Sequence, residues 1–172
     1  MGHLIRQARL EDAAAIAHVH VESWRTTYSG IVPDAFLATL DEVARTESWR
    51  ERIADGGVLI VVAEGETGVV GFACAGPIRT ATADYDAELY AIYVLLEAQR
   101  QGAGRSLFHA VVSGLRAKGY RSMLLWALQA NPCVPFYVRL GGIEVAMKAI
   151  DIGGVDLPEK AFGWPDLDCF GA

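Results

Sequence analysis

The stretch that most limits what this chain can fold into is Glu88 to Gly119, which reads as a strand, a glycine turn and a helix. Ala87 to Val94 is an almost continuous apolar run rich in β-branched and aromatic residues, the pattern of a strand covered on both faces. Leu95 to Gln101 is a short polar loop. Gly102-Ala103-Gly104 then opens a helix whose Leu107, Phe108, Val111, Val112 and Leu115 share one face. Lys118 and Gly119 give it a cationic last turn and a glycine stop.

Such a turn is suited to binding an anion. The first N–H groups of a helix lack intrahelical partners, and glycines let them approach a phosphate with no Cβ in the way. Arg100 and Arg105 flank the turn with no acid between them. The helix dipole contributes only about 0.3 to 2 kcal/mol, and each hydrogen bond to a charged group roughly 1.5 to 3, so the directed N–H groups dominate. A phosphate-loop NTPase would need G-x-x-x-x-G-K-[ST], which does not occur. A dinucleotide fold wants G-x-G-x-x-G, but the third glycine position is Leu107.

What stands is Gln99-Arg100-Gln101-Gly102-Ala103-Gly104, which resembles the Q/R-x-x-G-x-G/A pyrophosphate loop of the GNAT superfamily of acetyl-CoA-dependent N-acetyltransferases. A second match lies downstream at the required spacing. Asn131-Pro132-Cys133-Val134-Pro135-Phe136-Tyr137, followed by Leu140-Gly141, resembles that family's segment after the next strand. Cys133 stands where alanine is usual and Gly142 where phenylalanine is usual; both departures touch packing more than chemistry. The resemblance is firm from Ala87 to Gly141. It implies an α/β (α+β) fold with a mixed, mostly antiparallel sheet, a central parallel strand pair and flanking helices.

Length and composition set bounds on the rest. At 172 residues the chain is expected to be one domain over 1–172. No run approaches the roughly 18 apolar residues of a membrane span, and no membrane partner is expected. Met-Gly-His-Leu-Ile-Arg lacks a secretory apolar core, so a cytoplasmic location is the expectation. Cys74, Cys133 and Cys169 form no C-x-x-C and read as reduced packing residues. His18 and His20 point about 200° apart on a helix, so no metal site is expected. A net charge of -6 argues against a nucleic-acid surface. The same acidic background would suit a cationic amine.

In chain order, Leu4 to Ala8 reads as a strand, and Glu11-Asp12 starts a helix to about Thr27. Asp34 to Leu40 and Asp41 to Asp55 are helices, the second closed by Gly56-Gly57. Val58 to Glu64 and Val69 to Ala75 form a hairpin, broken by Gly76-Pro77. Ile78 to Asp86 is a polar loop in which Arg79 is a candidate phosphate contact. Ser122 to Leu128 is a strand and Pro132 to Arg139 a short helix. Ile143 to Ile152 and Leu157 to Trp164 form a final hairpin around Gly153-Gly154.

Acetyl transfer from a thioester to an amine needs a neutral amine, a stabilised tetrahedral intermediate and a leaving thiolate that does not return. For an amine of pKa about 10.4, only about one molecule in a thousand is neutral near pH 7.4, so something must accept the proton. Glu88 is the candidate base, because a carboxylate at the head of an apolar strand is costly to bury unless paired or used. Its other reading is a place at the exposed strand end or in a structural ion pair, and Asp84 and Asp86 are the runners-up. The resemblance places Tyr137 near the coenzyme sulfur as candidate acid, against simple packing beside Phe136. It also implies that a bulged central strand leaves main-chain atoms of Ile92, Tyr93 and Val94 free for acetyl-CoA. The phosphates would fall to Gln99, Arg100, Gln101, Gly102, Ala103, Gly104 and Arg105. Asn131 reads equally as a contact to the coenzyme arm or as turn chemistry. Trp24 and Tyr28 read as one wall of the acceptor site or as ordinary packing. The implied activity is N-acetylation of a primary amine on a small molecule or peptide, by direct transfer in a ternary complex. A non-catalytic acyl-CoA-binding module is the alternative, and a homodimer is among the states the resemblance suggests.

Overall fold

The computed structural model describes residues 2–79 and 84–170. Its strands are β1 (Leu4–Gln7), β2 (Leu59–Gly65), β3 (Gly68–Pro77), β4 (Ala87–Val94), β5 (Met123–Leu128), β6 (Ile143–Ile152) and β7 (Val155–Trp164). Its helices are α1 (Ala13–Thr27), α2 (Asp34–Ala38), α3 (Glu42–Asp55), α4 (Ala103–Ala117) and α5 (Val134–Arg139). The strands form one seven-stranded sheet in the order β1-β2-β3-β4-β5-β7-β6. Every neighbouring pair is antiparallel except β4 with β5. This is the mixed sheet with a central parallel pair that the resemblance implied.

Period-two alternation in the strands feeds cores on both faces of the sheet. Val61, Ala63, Leu89, Met123 and Leu125 face α4, whose Leu107, Phe108, Val111, Val112 and Leu115 are all buried against them. Each such side chain contributes about 1.5 to 3 kcal/mol of gross hydrophobic stabilisation. On the other face Ile60, Val62, Phe72 and Cys74 meet Ile16, Val19 and Trp49 of α1 and α3. Asp41 caps α3 by accepting from the Val43 N–H at 2.9 Å, and Gly56 closes it in the left-handed conformation at φ 67°.

The feature that positions the site is a defect in the sheet. β4 pairs with β5 only at Ala87↔Met123 and Glu88↔Leu124. Beyond Glu88 the two strands diverge. The cause lies on the opposite edge of β4: Ala75 of β3 faces Leu89 while Cys74 faces Ala91, so Tyr90 is an extra, bulged residue. A bulge bends its strand and increases its twist, which turns the rest of β4 away from β5.

Several boundaries differ from the sequence reading. β3 is not broken at Gly76-Pro77: Gly76 pairs with Glu88 and Pro77 with Ala87 as the strand's last residue, where a missing N–H is tolerated. The loop Leu95 to Gln101 contains a 3-10 turn at Leu96–Ala98, and α1 begins at Ala13 after another at Leu10–Asp12. α5 starts at Val134 because Asn131 Oδ1 accepts the Cys133 N–H at 2.7 Å and holds the preceding residues in a turn. Residues 80–83 of the expected polar loop lie outside the described residues. Cys169 is exposed and its thiol donates to Asp166, so it is not a packing residue, whereas Cys74 is buried. Gly142 has a packing explanation: a Cβ there would lie 2.8 Å from the Trp164 ring, which fills the space a larger side chain would take.

Candidate active site

The divergence of β4 and β5 leaves a gap with one site on each side. On the α4 side, Gly102 takes the left-handed conformation at φ 90° and accepts the first intrahelical bond, from the Ser106 N–H at 3.0 Å. The N–H groups of Ala103, Gly104 and Arg105 therefore precede the hydrogen-bonded ladder. Arg100 also has a positive φ of 60°, which folds the loop tightly before the helix. Gln99 donates to the Val94 carbonyl at 3.0 Å, and Gln101 to the Glu97 carbonyl at 2.8 Å. These two glutamines brace the loop, while Arg100 and Arg105 are exposed beside it. From Leu89 on, β4 has no pairing to β5. Main-chain groups alternate between the two edges: the Leu95 N–H bonds the Val70 carbonyl, so Tyr93 is a hydrogen-bonded partner of Phe72 and its main-chain groups are taken by β3, contrary to the expectation, while Ile92 and Val94 face the open edge.

Tyr137 of α5 stands at the same gap, 5% exposed, with Phe136 and Phe162 around its ring. Its hydroxyl has no hydrogen-bond partner among the described residues. Burial, with Cys133 and Tyr93 nearby, pushes its phenol far above the ordinary tyrosine range. It is a neutral hydrogen-bond donor, not a source of free protons.

On the α1 side lies a cavity of about 390 Å³. Trp24 and Tyr28, at the end of α1, form one wall, their rings 4.7 Å apart. Trp24 Nε1 donates to Tyr93 Oη at 2.9 Å, and Asn131 Nδ2 donates to Tyr28 Oη at 3.1 Å. Burial pushes the Tyr93 phenol up, against the hydrogen bonds it receives from Trp24 and Tyr28. Behind it the His20 ring stacks on Tyr93 at 5.4 Å and accepts from Trp49 Nε1 at 3.2 Å. Burial, with Arg45 and Arg52 nearby, holds His20 down at about 4, so the ring is neutral.

Glu88 closes the narrow end of the gap, 2% exposed. Arg79 Nη2 donates to Oε1 at 2.5 Å and the Arg79 N–H to Oε2 at 3.1 Å. Arg79, the candidate phosphate contact, is thus bound to Glu88 and lines the α1-side cavity. Asp86 is structural, accepting from the N–H groups of Arg121 and Ser122, both at 2.9 Å. Burial pushes its carboxyl up, and these bonds outweigh burial to hold it below the usual range.

Sequence reasoning missed the apolar lining residues Leu128, Ile150 and Ile152 and, more consequentially, Tyr90, Trp126, Lys148 and Glu159. Lys148 and Glu159 form an ion pair at 3.3 Å. The signal for it was present, since counting outward from Ile152↔Val155 across the Gly153-Gly154 turn brings Lys148 opposite Glu159. Among the described residues no group of three or more His, Cys, Asp or Glu side chains is placed to hold a metal ion. No helix among them is long and apolar enough to cross a membrane.

The arrangement can be set beside known proteins. Residues 17–152 match the family model described as Acetyltransferase (GNAT) domain. The chain is 45% identical over 164 residues, 95% of its own length and 93% of the relative's, to the uncharacterized N-acetyltransferase YuaI of Bacillus subtilis. In fold it is similar to yncA of Salmonella typhimurium, a putative acetyltransferase solved with its cofactor acetyl-CoA, with a TM-score of 0.74, 23% identity and coverage of 98% of this chain and 95% of that one. It is also similar to the PaiA N-acetyltransferase of Thermoplasma acidophilum in complex with coenzyme A, with a TM-score of 0.69, 21% identity and coverage of 93% and 98%. A parted parallel strand pair, a glycine-opened helix at its mouth, a family match over most of the chain and a close relative over nearly all of it lead to one assignment: the chain belongs to the GNAT family of acetyltransferases.

Proposed function

We propose that residues 1–172 act as one acetyltransferase domain that moves an acetyl group from acetyl-CoA to a primary amine by direct transfer, with both substrates bound together. The observation that carries this reading is the gap between β4 and β5, which has a main-chain anion site on its α4 side and an aromatic, ion-paired cavity on its α1 side. Two ligands entering from opposite faces would meet there.

When bound, acetyl-CoA supplies the activated acyl group. Ala103, Gly104 and Arg105 offer N–H groups to its pyrophosphate, with Arg100 and Arg105 as flanking cations. On the unpaired edge of β4, the main-chain groups of Ile92 and the N–H of Val94 are offered to the pantetheine arm and to the carbonyl oxygen, while the Val94 carbonyl is held by Gln99. Tyr137 donates a hydrogen bond to the sulfur as charge develops there. An ordinary phenol of pKa about 10 is already a weaker acid than a thiol of about 8.5, and burial widens the difference, so the proton on the departing thiol comes from the amine. Each oxygen of Glu88 accepts one hydrogen bond from Arg79 and keeps a lone pair for the amine proton or an intervening water. Trp24 and Tyr28 wall the acceptor side. Asn131 acts through Tyr28, whose hydroxyl it holds.

Calorimetric titration with acetyl-CoA and desulfo-CoA, followed by a thiol-release screen over amines, tests the reading. Micromolar binding with thiol release for one amine class is expected. Binding without release for any amine would mark an acyl-CoA-binding module, and absence of binding would remove the anion site.

A further inference from the structure

We propose, building on the acetyltransferase reading above, that the acceptor is a small amine that also carries a carboxylate, and that Lys148 receives that carboxylate. The charged groups of the α1-side cavity come as two ion pairs, and in each the acid is the hidden member. The Glu88 side chain is 3% exposed against 58% for Arg79, and that of Glu159 is 9% exposed against 43% for Lys148. A ligand entering the cavity therefore meets cations, although the chain as a whole carries a net charge of -6. Each cation is also supported on a ring of the cavity wall. The Arg79 guanidinium lies 4.1 Å from the centroid of Tyr90, and Lys148 Nζ lies 4.1 Å from that of Trp126.

The two cations are not equally committed. Arg79 makes two directed bonds to Glu88, one from its side chain and one from its backbone. Lys148 makes one ion-pair contact, of 3.3 Å to Glu159, and otherwise rests on the Trp126 ring, while an ammonium has three N–H donors. Donor capacity therefore remains for a ligand. A second cation on the acceptor would be pushed against Arg79 and Lys148, and a plain alkylamine would cover the Lys148 charge without satisfying it. A carboxylate satisfies it with charge-assisted bonds.

The spacing suits one small molecule. Glu88 is paired with Leu124, and Trp126 lies two residues further along β5 beneath Lys148 Nζ. Two strand residues span about 7 Å and neighbouring strands lie about 5 Å apart, which puts roughly 8 Å between the backbone positions of the two ends. A molecule of amino-acid size bridges that interval, amine toward Glu88 and carboxylate toward Lys148. A cavity of about 390 Å³ also falls in the small-molecule range. The acidic net charge, which by itself would suit a cationic amine, is overruled locally by the side chains that face the ligand.

The test is a thiol-release assay with acetyl-CoA and matched acceptors: α-, β- and γ-amino acids, each with its decarboxylated amine and its carboxamide, and spermidine as a polycation. The carboxylate-bearing member is expected to exceed its decarboxylated partner by at least 100-fold in kcat/KM. Lys148→Met should bring that ratio down to within about threefold of unity, chiefly through the KM of the amino acid. Because this substitution leaves Glu159 buried without its partner, the double variant Lys148→Met with Glu159→Gln is measured beside it and should show the same collapse with a melting temperature near that of the wild type. Preference for the decarboxylated amines or for spermidine, or a selectivity that survives in the double variant, overturns the proposal. Thiol release from no amine would count against the acetyltransferase reading instead. Calorimetric titration of the same matched pairs then decides: at least tenfold tighter binding of the carboxylate member, lost in the double variant, upholds the proposal, and equal binding overturns it.

Discussion

The two faces of the sheet at β4 carry sites made of different materials. On the α4 face one turn of chain supplies consecutive backbone N–H groups, opened by the left-handed Gly102 and needing only a pair of arginines nearby, while Gly104 makes room for the Phe136 ring. On the α1 face the cavity draws side chains from α1, β4, β5, β6 and β7, joined by the Trp24–Tyr93, Tyr28–Asn131, Arg79–Glu88 and Lys148–Glu159 contacts. A backbone site is local and tolerates change in the side chains around it. A side-chain site depends on strand register, so a single substitution can alter what it accepts. The same scaffold can thus hold one coenzyme constant while its acceptor varies.

If this division of labour is right, substitutions should separate cleanly by face. The largest effect belongs to Tyr137, which stands at the gap itself. Tyr137→Phe should lower kcat by about 100-fold, roughly 2.7 kcal/mol of transition-state stabilisation, while coenzyme affinity measured by calorimetry changes less than about threefold. An unchanged kcat would remove Tyr137 from the chemistry and leave it as packing against Phe162.

Glu88→Gln comes next and probes the other side of the gap. The amide keeps the shape and one acceptor for Arg79 but loses the charge, so kcat should fall about 30-fold and the acidic limb of the pH–rate profile should flatten. Persistence of that limb would assign it to the amine itself or to another group. On the coenzyme face, Gly102→Ala places a Cβ on a residue at φ 90°, a conformation that costs an L-residue about 1 to 2 kcal/mol. We expect acetyl-CoA to bind about tenfold more weakly, with kcat at saturating coenzyme within about twofold and acceptor KM unmoved. A rise in acceptor KM alone would break the separation of the two faces.

How far each face could be read from the residues follows from the same difference. β4 is bounded at Ala87 and Val94 and β6 at Ile143 and Ile152, where the apolar runs place them, and α4 follows its glycines. Local signals suffice there, because the glycine loop is contiguous. The Tyr90 bulge carries no such mark, since any residue can be the extra one and only the register of β3 reveals it. The Arg79–Glu88 pair was hidden because Gly76-Pro77 suggested a broken strand, whereas β3 runs on to Pro77 and delivers Arg79 beside Glu88. Lys148–Glu159 could have been found by counting from the hairpin turn. Its place in a cavity with Trp126 could not, because β7 inserts between β5 and β6 and so brings together strands that are distant in sequence.

The smallest effect sharpens the comparison in terms of pH. His20 lies behind Tyr93 on the acceptor face, and burial lowers it from an ordinary 6.5 to about 4. Between those values the unfolded chain binds a proton that the folded chain refuses, so the His20 contribution is fully present above pH 6.5 and is lost as pH falls toward 4. From pH 7 to pH 5.5 the loss is about 1 kcal/mol. His20→Asn retains an acceptor for Trp49 and removes the titration, so the difference in denaturant midpoint between the two proteins should shrink or change sign as pH is lowered through this range. Hydrogen exchange should place the added opening in α1 and β4, around Tyr93, and leave the amides of α4 protected. Parallel loss of protection in α4 would mean that the two faces unfold as one unit, and that their chemical separation is not matched by a separation in stability.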